Sequence, residues 1–278
     1  MRIRVGCEFQ YEAAGPAPAV WQVRPRPDGA HRVVTETWES PVPSRSFLDG
    51  FGNLCDRLTL PEGPSTLRYD AVVEVPGTFD EADKGAAQTP VEGLPDDALG
   101  FLLPSRFCWP DVLHDQAWEL FGDIPPGWDR VQAVSDWVHE NIAYQMGTST
   151  PLTTAKDIFD CRTGVCRDMT QLGVTLCRAL NVPARYVSGY LPDIAVEPPD
   201  LPMDFCSWLE AYLDGTWFTF DPRNNEPRIG RVVIARGRDA ADTAMVTTWG
   251  AAVLNRMTVW ADEAPDGADP DGELEAHG

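Results

Sequence analysis

The residue of this sequence best placed to act as a nucleophile is Cys166, in the stretch DCRTGVCRDMTQLGVTLC that begins at residue 160. It stands where a polar turn gives way to apolar residues at three- and four-residue spacing, which predicts a helix with Cys166 in its first turn. A thiol there lies beside unpaired backbone N–H groups and the positive end of the helix dipole, which favours the thiolate. Arg162 and Arg167 are expected to add to this effect. A structural role is the alternative, because cysteine also packs well as a small buried hydrophobe.

A second candidate group lies in FCSWLEAYLDGTWFTFDP, residues 205–222. The Asp-Gly pair between two alternating runs predicts a β-hairpin with a two-residue turn. The period of two then puts Cys206, Trp208 and Asp221 on one face, with Cys206 and Asp221 as diagonal neighbours. The alternative interpretation is that Trp208 belongs to the core and that Asp221 only begins the next turn.

The elements that must position these residues are predicted from hydrophobic periodicity. Alternation at residues 3–11, repeated in AVWQV, HRVVTETW and TLRYDAVVEV, indicates a mostly β region. A Pro- and acid-rich connection follows, and helical spacing begins beyond it. The sequence therefore predicts an N-terminal β domain over residues 1–100, an α+β core over residues 101–260, and an acidic, disordered tail over residues 261–278.

Composition and charge exclude several classes of function. The net charge of −21 argues against nucleic acid as a partner, since binding phosphates requires clustered Lys and Arg. The first residues contain no continuous apolar run, and nowhere do eighteen apolar residues follow one another, so neither secretion nor membrane spanning is expected. Seven irregularly spaced cysteines in a chain of this size favour reduced thiols and a cytoplasmic protein. No cofactor is predicted, and the oligomeric state is left open.

Several stretches together resemble the transglutaminase-like superfamily, in particular bacterial members that join an N-terminal β region to a papain-like core. The matching stretches are FLLPSRFC at 101–108, GVCRD around Cys166, PARYVSGYL, the hairpin, FDPRNN at 220–225 and IARGRDAADTA at 234–244. The resemblance implies an α+β fold in which a helix carrying the nucleophilic cysteine packs on an antiparallel sheet. It also implies a Cys-His-Asp triad that transfers acyl groups.

Carried over by position, Cys166 matches the nucleophile and Asp221 matches the carboxylate that orients the imidazole. The imidazole itself is missing, because the relatives usually read Asp-Phe-His-Ala-Trp where this sequence reads Asp-Phe-Cys-Ser-Trp, with Cys206 in place of the histidine. Gln171 stands where the bacterial relatives often have another histidine. The motif residues Arg167 and Asp168, together with Trp208 and Gln171, are expected to line the site.

The missing imidazole leaves three functional hypotheses. The first is cysteine-dependent acyl transfer through an atypical Cys-Cys-Asp site, with an acyl donor (a small molecule, a carrier-bound thioester or a peptide) and an amine or water as acceptor. Thioesters are favoured, since a thiolate leaves without needing a proton. Cys206 would be a weak acid there, because Asp221 raises its pKa. The second hypothesis is a non-catalytic binding protein of the same fold, and the third is a metal or redox site formed by Cys161, Cys166 and Cys206.

Overall fold

Strands and helices form where the sequence patterns predict the N-terminal β region, the hairpin and the cysteine-bearing helix. A computed structural model of the protein describes residues 1–264. The strands are β1 (Arg2–Ala13), β2 (Ala17–Trp21), β3 (Arg32–Glu39), β4 (Arg45–Leu48), β5 (Leu54–Leu60), β6 (Gly63–Glu74), β7 (Ala143–Tyr144), β8 (Thr163–Gly164), β9 (Ala184–Tyr190), β10 (Cys206–Leu213), β11 (Thr216–Phe220), β12 (Val232–Gly237), β13 (Val246–Thr248) and β14 (Ala252–Glu263). The α-helices are α1 (Asp96–Leu99), α2 (His114–Phe121), α3 (Trp128–Asn141), α4 (Ala155–Cys161) and α5 (Cys166–Ala179). None of the helices within residues 1–264 has the length and apolar character needed to span a membrane.

The N-terminal region consists of two antiparallel sheets that enclose one apolar core. Their strand orders are β14-β1-β6-β3 and β13-β2-β5-β4. The alternating side chains of β1 are buried in this core, from Ile3 to Tyr11, as their period of two predicts. The mostly β character predicted for the first hundred residues is confirmed.

Both N-terminal sheets also take a strand from the C-terminal end of the described chain. β14 pairs with β1 along its length, and β13 pairs with β2. The predicted domain division placed residues 246–260 with the core and residue 261 onward in the tail, so it did not include these pairings. Residues 261–263 are strand, and residues 265–278 of the predicted tail lie outside the described residues. The strand gives a weak signal because most of its residues are exposed; Val259 and Ala261 are buried, and Ala252 and Trp260 are half-buried.

The core region is built on a four-stranded antiparallel sheet in the order β11-β10-β9-β12. The predicted hairpin forms, with Leu213 opposite Thr216. Its two turn residues both have positive φ, 45° at Asp214 and 81° at Gly215, which matches the right-handed twist of the flanking strands. The register of the hairpin is therefore the one that the sequence predicts.

Helix α5 packs against β9 and β10 and brings its first residue to the start of β10. A Cβ on Gly173 would lie 2.7 Å from the Leu209 side chain, so glycine allows the helix to approach the strand this closely. The opposite end of the helix is fixed by Arg178, which is buried and donates hydrogen bonds to the carbonyls of Ala184, Leu103 and Arg238. The α+β fold class is confirmed, with the cysteine-bearing helix on an antiparallel sheet.

Candidate active site

Cys166 is the first residue of α5, as predicted, and it is partly exposed. Its Sγ lies 4.0 Å from the carbonyl oxygen of Phe205, the residue that precedes β10. The helix N-terminus and the start of the central strand therefore meet at this thiol. All seven cysteines are free; five are buried, Cys161 is exposed and Cys166 is partly exposed.

The surroundings of Cys166 act on its pKa in opposite directions. Burial in the protein raises the pKa above the ordinary value of 9.0, and the nearby Asp204 adds to this. The charge of Arg223 opposes it most strongly, with smaller contributions from the Ser207 hydroxyl and the backbone N–H of Arg167. The net direction is upward, which is opposite to the predicted preference for the thiolate, and burial is its largest cause.

The two arginines expected to assist the thiolate are engaged elsewhere. Arg167 pairs with Asp168 at 3.0 Å and donates a hydrogen bond to the Thr150 carbonyl. The guanidinium of Arg162 lies over aromatic rings instead. Asp168 is fully buried and accepts a hydrogen bond from the N–H of Val165 at 3.0 Å, which stabilises the first turn of α5. Arg167 and Asp168 thus hold the turn in which the thiol lies.

Cys206 is a buried thiol in an apolar cluster. It is 5% exposed and packs with the apolar side chains of Val187, Leu191, Trp208 and Val233. Burial raises its pKa well above the ordinary range, and Asp221 and then Cys166 raise it further. This is the direction that the sequence predicted for the effect of Asp221. A thiol of this kind stays protonated near neutral pH, so it cannot serve as a base there.

The carboxylate of Asp221 is buried and fully engaged. It accepts hydrogen bonds from the backbone N–H groups of Arg223 and Asn224, and from the Asn224 side chain at 2.8 Å. It also forms an ion pair with Arg231 at 3.0 Å. The Arg231 guanidinium lies 4.7 Å from the centroid of the Trp208 ring, and it also pairs with Asp80 at 2.9 Å.

Gln171 lies in the interior of α5 and is fully buried. Neither its side-chain oxygen nor its side-chain nitrogen has a hydrogen-bond partner. One residue earlier, the hydroxyl of Thr170 lies 3.1 Å from that of Ser207, and both residues are buried. An unpaired buried amide is costly, so Gln171 is a weak point in the packing of the helix.

Two residues that act on the candidate nucleophile, Arg223 and Ser207, were not among the predicted site residues. Arg223 was inside the FDPRNN stretch, two residues after Asp221, and Ser207 stands where the relatives usually have alanine. The backbone carbonyl of Arg223 also lies 2.9 Å from Nδ1 of His139. Because a carbonyl oxygen can only accept a hydrogen bond, Nδ1 carries the proton, and Nε2 of a neutral His139 is the unprotonated ring nitrogen.

No group of three or more His, Cys, Asp or Glu side chains is placed to hold a metal ion among residues 1–264. Cys161, Cys166 and Cys206 accordingly do not form such a group. The thiol of Cys161 instead donates to the carbonyl oxygen of Thr163 at 3.3 Å. The chemically active groups near Cys166 are therefore thiols, guanidinium groups and carboxylates.

Cys166, Cys206 and Asp221 all lie in a region that is similar to a known protein family. The family model of the transglutaminase-like superfamily matches residues 119–222, which include Cys166, Cys206 and Asp221. The crystal structure of a protein from Cytophaga hutchinsonii, described as a "Putative Cysteine Protease", is 31% identical in sequence. It covers 98% of this chain and 95% of its own, with a TM-score of 0.85.

Two mycobacterial proteins are also similar. An uncharacterized protein of Mycobacterium tuberculosis is 26% identical over 238 residues, which are 77% of this chain and 73% of that protein. An uncharacterized protein of Mycobacterium leprae is 32% identical over 118 residues, 41% of this chain and 42% of that protein.

Proposed function

Because the chain belongs to the transglutaminase-like superfamily, we propose that it is a cysteine acyltransferase that uses Cys166 on an activated acyl donor, with an amine or water as acceptor. The observation that carries the proposal is the position of Cys166, partly exposed at the N-terminus of α5 and next to the start of β10. At this position the thiol is accessible to an acyl donor, while β10 and α5 hold it in place by packing against each other.

In this mechanism the Cys166 thiol first loses its proton to solvent. Arg223 is the charge that most favours the resulting thiolate. The thiolate attacks the acyl carbon, and the N–H groups of Cys166 and Arg167, which precede the first hydrogen bond of α5, are the donors available to the developing oxyanion. The bond from the acyl carbon to the leaving group then breaks, and the acyl group remains on Cys166 until an amine or water takes it.

The leaving group decides which donors react. An amide nitrogen must be protonated before it leaves, and general acid–base assistance contributes roughly 10² to 10⁴-fold in rate. Cys206 is sealed in an apolar cluster, and the Asp221 carboxylate is held by Arg231 and Asn224. Neither is arranged to shuttle a proton as an imidazole does. A thioester is therefore the favoured donor, since its thiolate leaves without a proton.

A second candidate function is binding without catalysis in the same fold. The observation in its favour is that Cys206 and Asp221 are fully satisfied by packing and by ion pairs, so they stabilise the structure whether or not a reaction occurs. In that case Cys166 is a small side chain at a helix end, and its removal has no chemical consequence.

A thioester and an amide with the same acyl group distinguish the two functions. We expect release of the thiol from the thioester, little cleavage of the amide, and loss of thioester activity in Cys166→Ala. Cys161→Ser removes the exposed thiol as a matched control and should keep the activity. Thioester turnover that survives in Cys166→Ala would refute the proposal, and so would a purified native protein without any acyl transfer. Efficient amide cleavage would point to a recruited base such as His139.

A further inference from the structure

The surface beside Cys166 contains a groove of about 560 Å³, large enough for a small organic ligand. Its walls come from the end of α3 and from β7, together with Arg162 and Arg223, and Met169 lines it from α5. Tyr144 of β7 pairs with Gly164 of β8, two residues before Cys166. The groove therefore adjoins the turn that carries the candidate nucleophile.

Arginine side chains give this groove its charge. The Arg223 guanidinium lies 4.5 Å from the centroid of the Tyr144 ring. The Arg162 guanidinium lies 4.6 and 4.5 Å from the centroids of the Trp137 and Phe159 rings. A guanidinium stacked on a ring keeps its N–H groups in the plane of the group, where they can bind a planar anion.

Neither guanidinium has a carboxylate partner within ion-pair distance among residues 1–264. The Nη1 atom of Arg162 is buried without any hydrogen-bond partner. By contrast, Arg167 and Arg231 each pair with a carboxylate. Among residues 1–264, the acidic side chain that lines the groove is that of Glu140, an exposed residue. Asp221 and Asp204 act on Arg223 only from beyond ion-pair distance, so both arginines can form a direct ion pair with a bound anion.

We propose that this groove binds a carboxylate of the acyl donor, with Arg162 and Arg223 as its ligands, so that the donor is an acyl compound with a second, anionic end. Arginine forms bidentate, charge-assisted hydrogen bonds with carboxylates, and this pairing fixes orientation as well as affinity. The bound carboxylate would direct the acyl carbon toward Cys166. This inference rests on the proposed acyl transfer for its chemistry, whereas the binding of a dicarboxylate does not depend on it.

The covalent step is an exchange of one thioester for another. The Cys166 thiolate attacks the carbonyl carbon, a bond forms from its Sγ to that carbon, and the bond to the donor sulfur breaks. The products are acyl-Cys166 and the free donor thiolate, so no oxidant or further reactant is needed.

Two donors of equal carbon number test the proposal: the adipoyl and the hexanoyl thioesters of N-acetylcysteamine, the first with a terminal carboxylate and the second without. Acylation of Cys166 is followed by intact mass. We expect the adipoyl donor to react about ten- to a hundredfold faster, the range of one charge-assisted interaction. Arg162→Met and Arg223→Met should each reduce this ratio toward one, while Arg238→Met, whose side chain pairs with Asp242, should leave it unchanged.

The ratio of the adipoyl rate to the hexanoyl rate is compared because Arg223 also acts on the Cys166 thiol. The effect of Arg223→Met on the thiol should change both rates by the same factor and cancel in the ratio. Equal rates for the two donors would overturn the proposal while leaving acyl transfer intact. Binding of adipate to Cys166→Ala, measured by calorimetry, tests the groove without chemistry, and it should be lost in the Arg162→Met and Arg223→Met versions. Adipate binding without acylation of the native protein would refute the acyl transfer but support the groove. Tighter binding of inorganic phosphate than of adipate would refute the choice of a carboxylate.

Discussion

Arg231 joins two carboxylates on the buried side of the candidate site, so its replacement by methionine should destabilise the protein strongly. Its Nε lies 2.9 Å from a carboxylate oxygen of Asp80, and its Nη2 lies 3.0 Å from one of Asp221. The three side chains are only 7%, 17% and 2% exposed. Methionine can still cover the Trp208 ring, so the loss reports on the charge more than on the volume.

The expected magnitude follows from the partners that remain. Removing one member of a buried ion pair costs about 3–5 kcal/mol, because a charge is left uncompensated. Asp221 would keep two backbone N–H donors and the amide of Asn224, and Asp80 would keep the N–H of Arg228. The lower end applies, about 3 kcal/mol. This leaves a protein of ordinary stability folded, with a melting temperature lowered by about 6–12 °C.

Urea denaturation followed by tryptophan fluorescence measures this loss. The matched control is Arg238→Met, which breaks an ion pair with Asp242 whose arginine side chain is 45% exposed. It should lose no more than about 1 kcal/mol. If Arg231→Met loses as little as the control, the argument that burial makes its ion pairs strong is wrong. Replacing Asp80 and Asp221 by asparagine in the Arg231→Met background should recover part of the loss, since no unpaired charge then remains.

Three further predictions concern the site and its helix. Cys206→His should add amide-cleaving activity, by at most the roughly 10² to 10⁴-fold that general base catalysis contributes. The larger side chain should lower the free energy of unfolding by about 1–3 kcal/mol. A folded variant without any gain in amide cleavage would favour the binding function. Gln171→Met should raise the free energy of unfolding by about 1–3 kcal/mol in urea titrations, because it removes an unpaired buried amide; an equal loss would show that the amide is satisfied. In a Cys161→Ser background, the rate of Cys166 alkylation should rise about tenfold per pH unit from roughly pH 7 to 9, since burial raises the pKa of Cys166 and only the thiolate reacts. Arg223→Met should lower this rate at every pH, because it removes the charge that most favours the thiolate. A rate that becomes constant below about pH 8 would contradict the raised pKa.

Much of the local structure could be predicted because it depends on neighbours in the chain. The Asp-Gly turn sets the hairpin register, with Leu213 opposite Thr216, and the apolar spacing after Cys166 sets the helix. The departures at Cys206 and Gln171 could be read directly from the residues. In each case the signal lies within a few turns or one hairpin of the residue concerned.

Other features could not be predicted because they depend on residues far apart in the sequence. Asp80 reaches Arg231 across 151 positions, and β14 pairs with β1 from the other end of the described chain. A strand with one exposed face and few buried residues carries little apolar alternation, so its partner is decided by the sheet edge available to it.

The position of the candidate nucleophile at a helix N-terminus, and the replacement of the expected imidazole by Cys206, are properties of the local sequence. The direction of the Cys166 pKa shift depends on tertiary packing, because burial, its largest cause, is a property of everything packed around the thiol. Tertiary packing also decides which arginine acts on that thiol. Arg167, adjacent in sequence, is neutralised by Asp168, whereas Arg223 is brought in by the turn that follows β11. Electrostatic effects depend on distance in space and on solvation, and a linear sequence fixes neither.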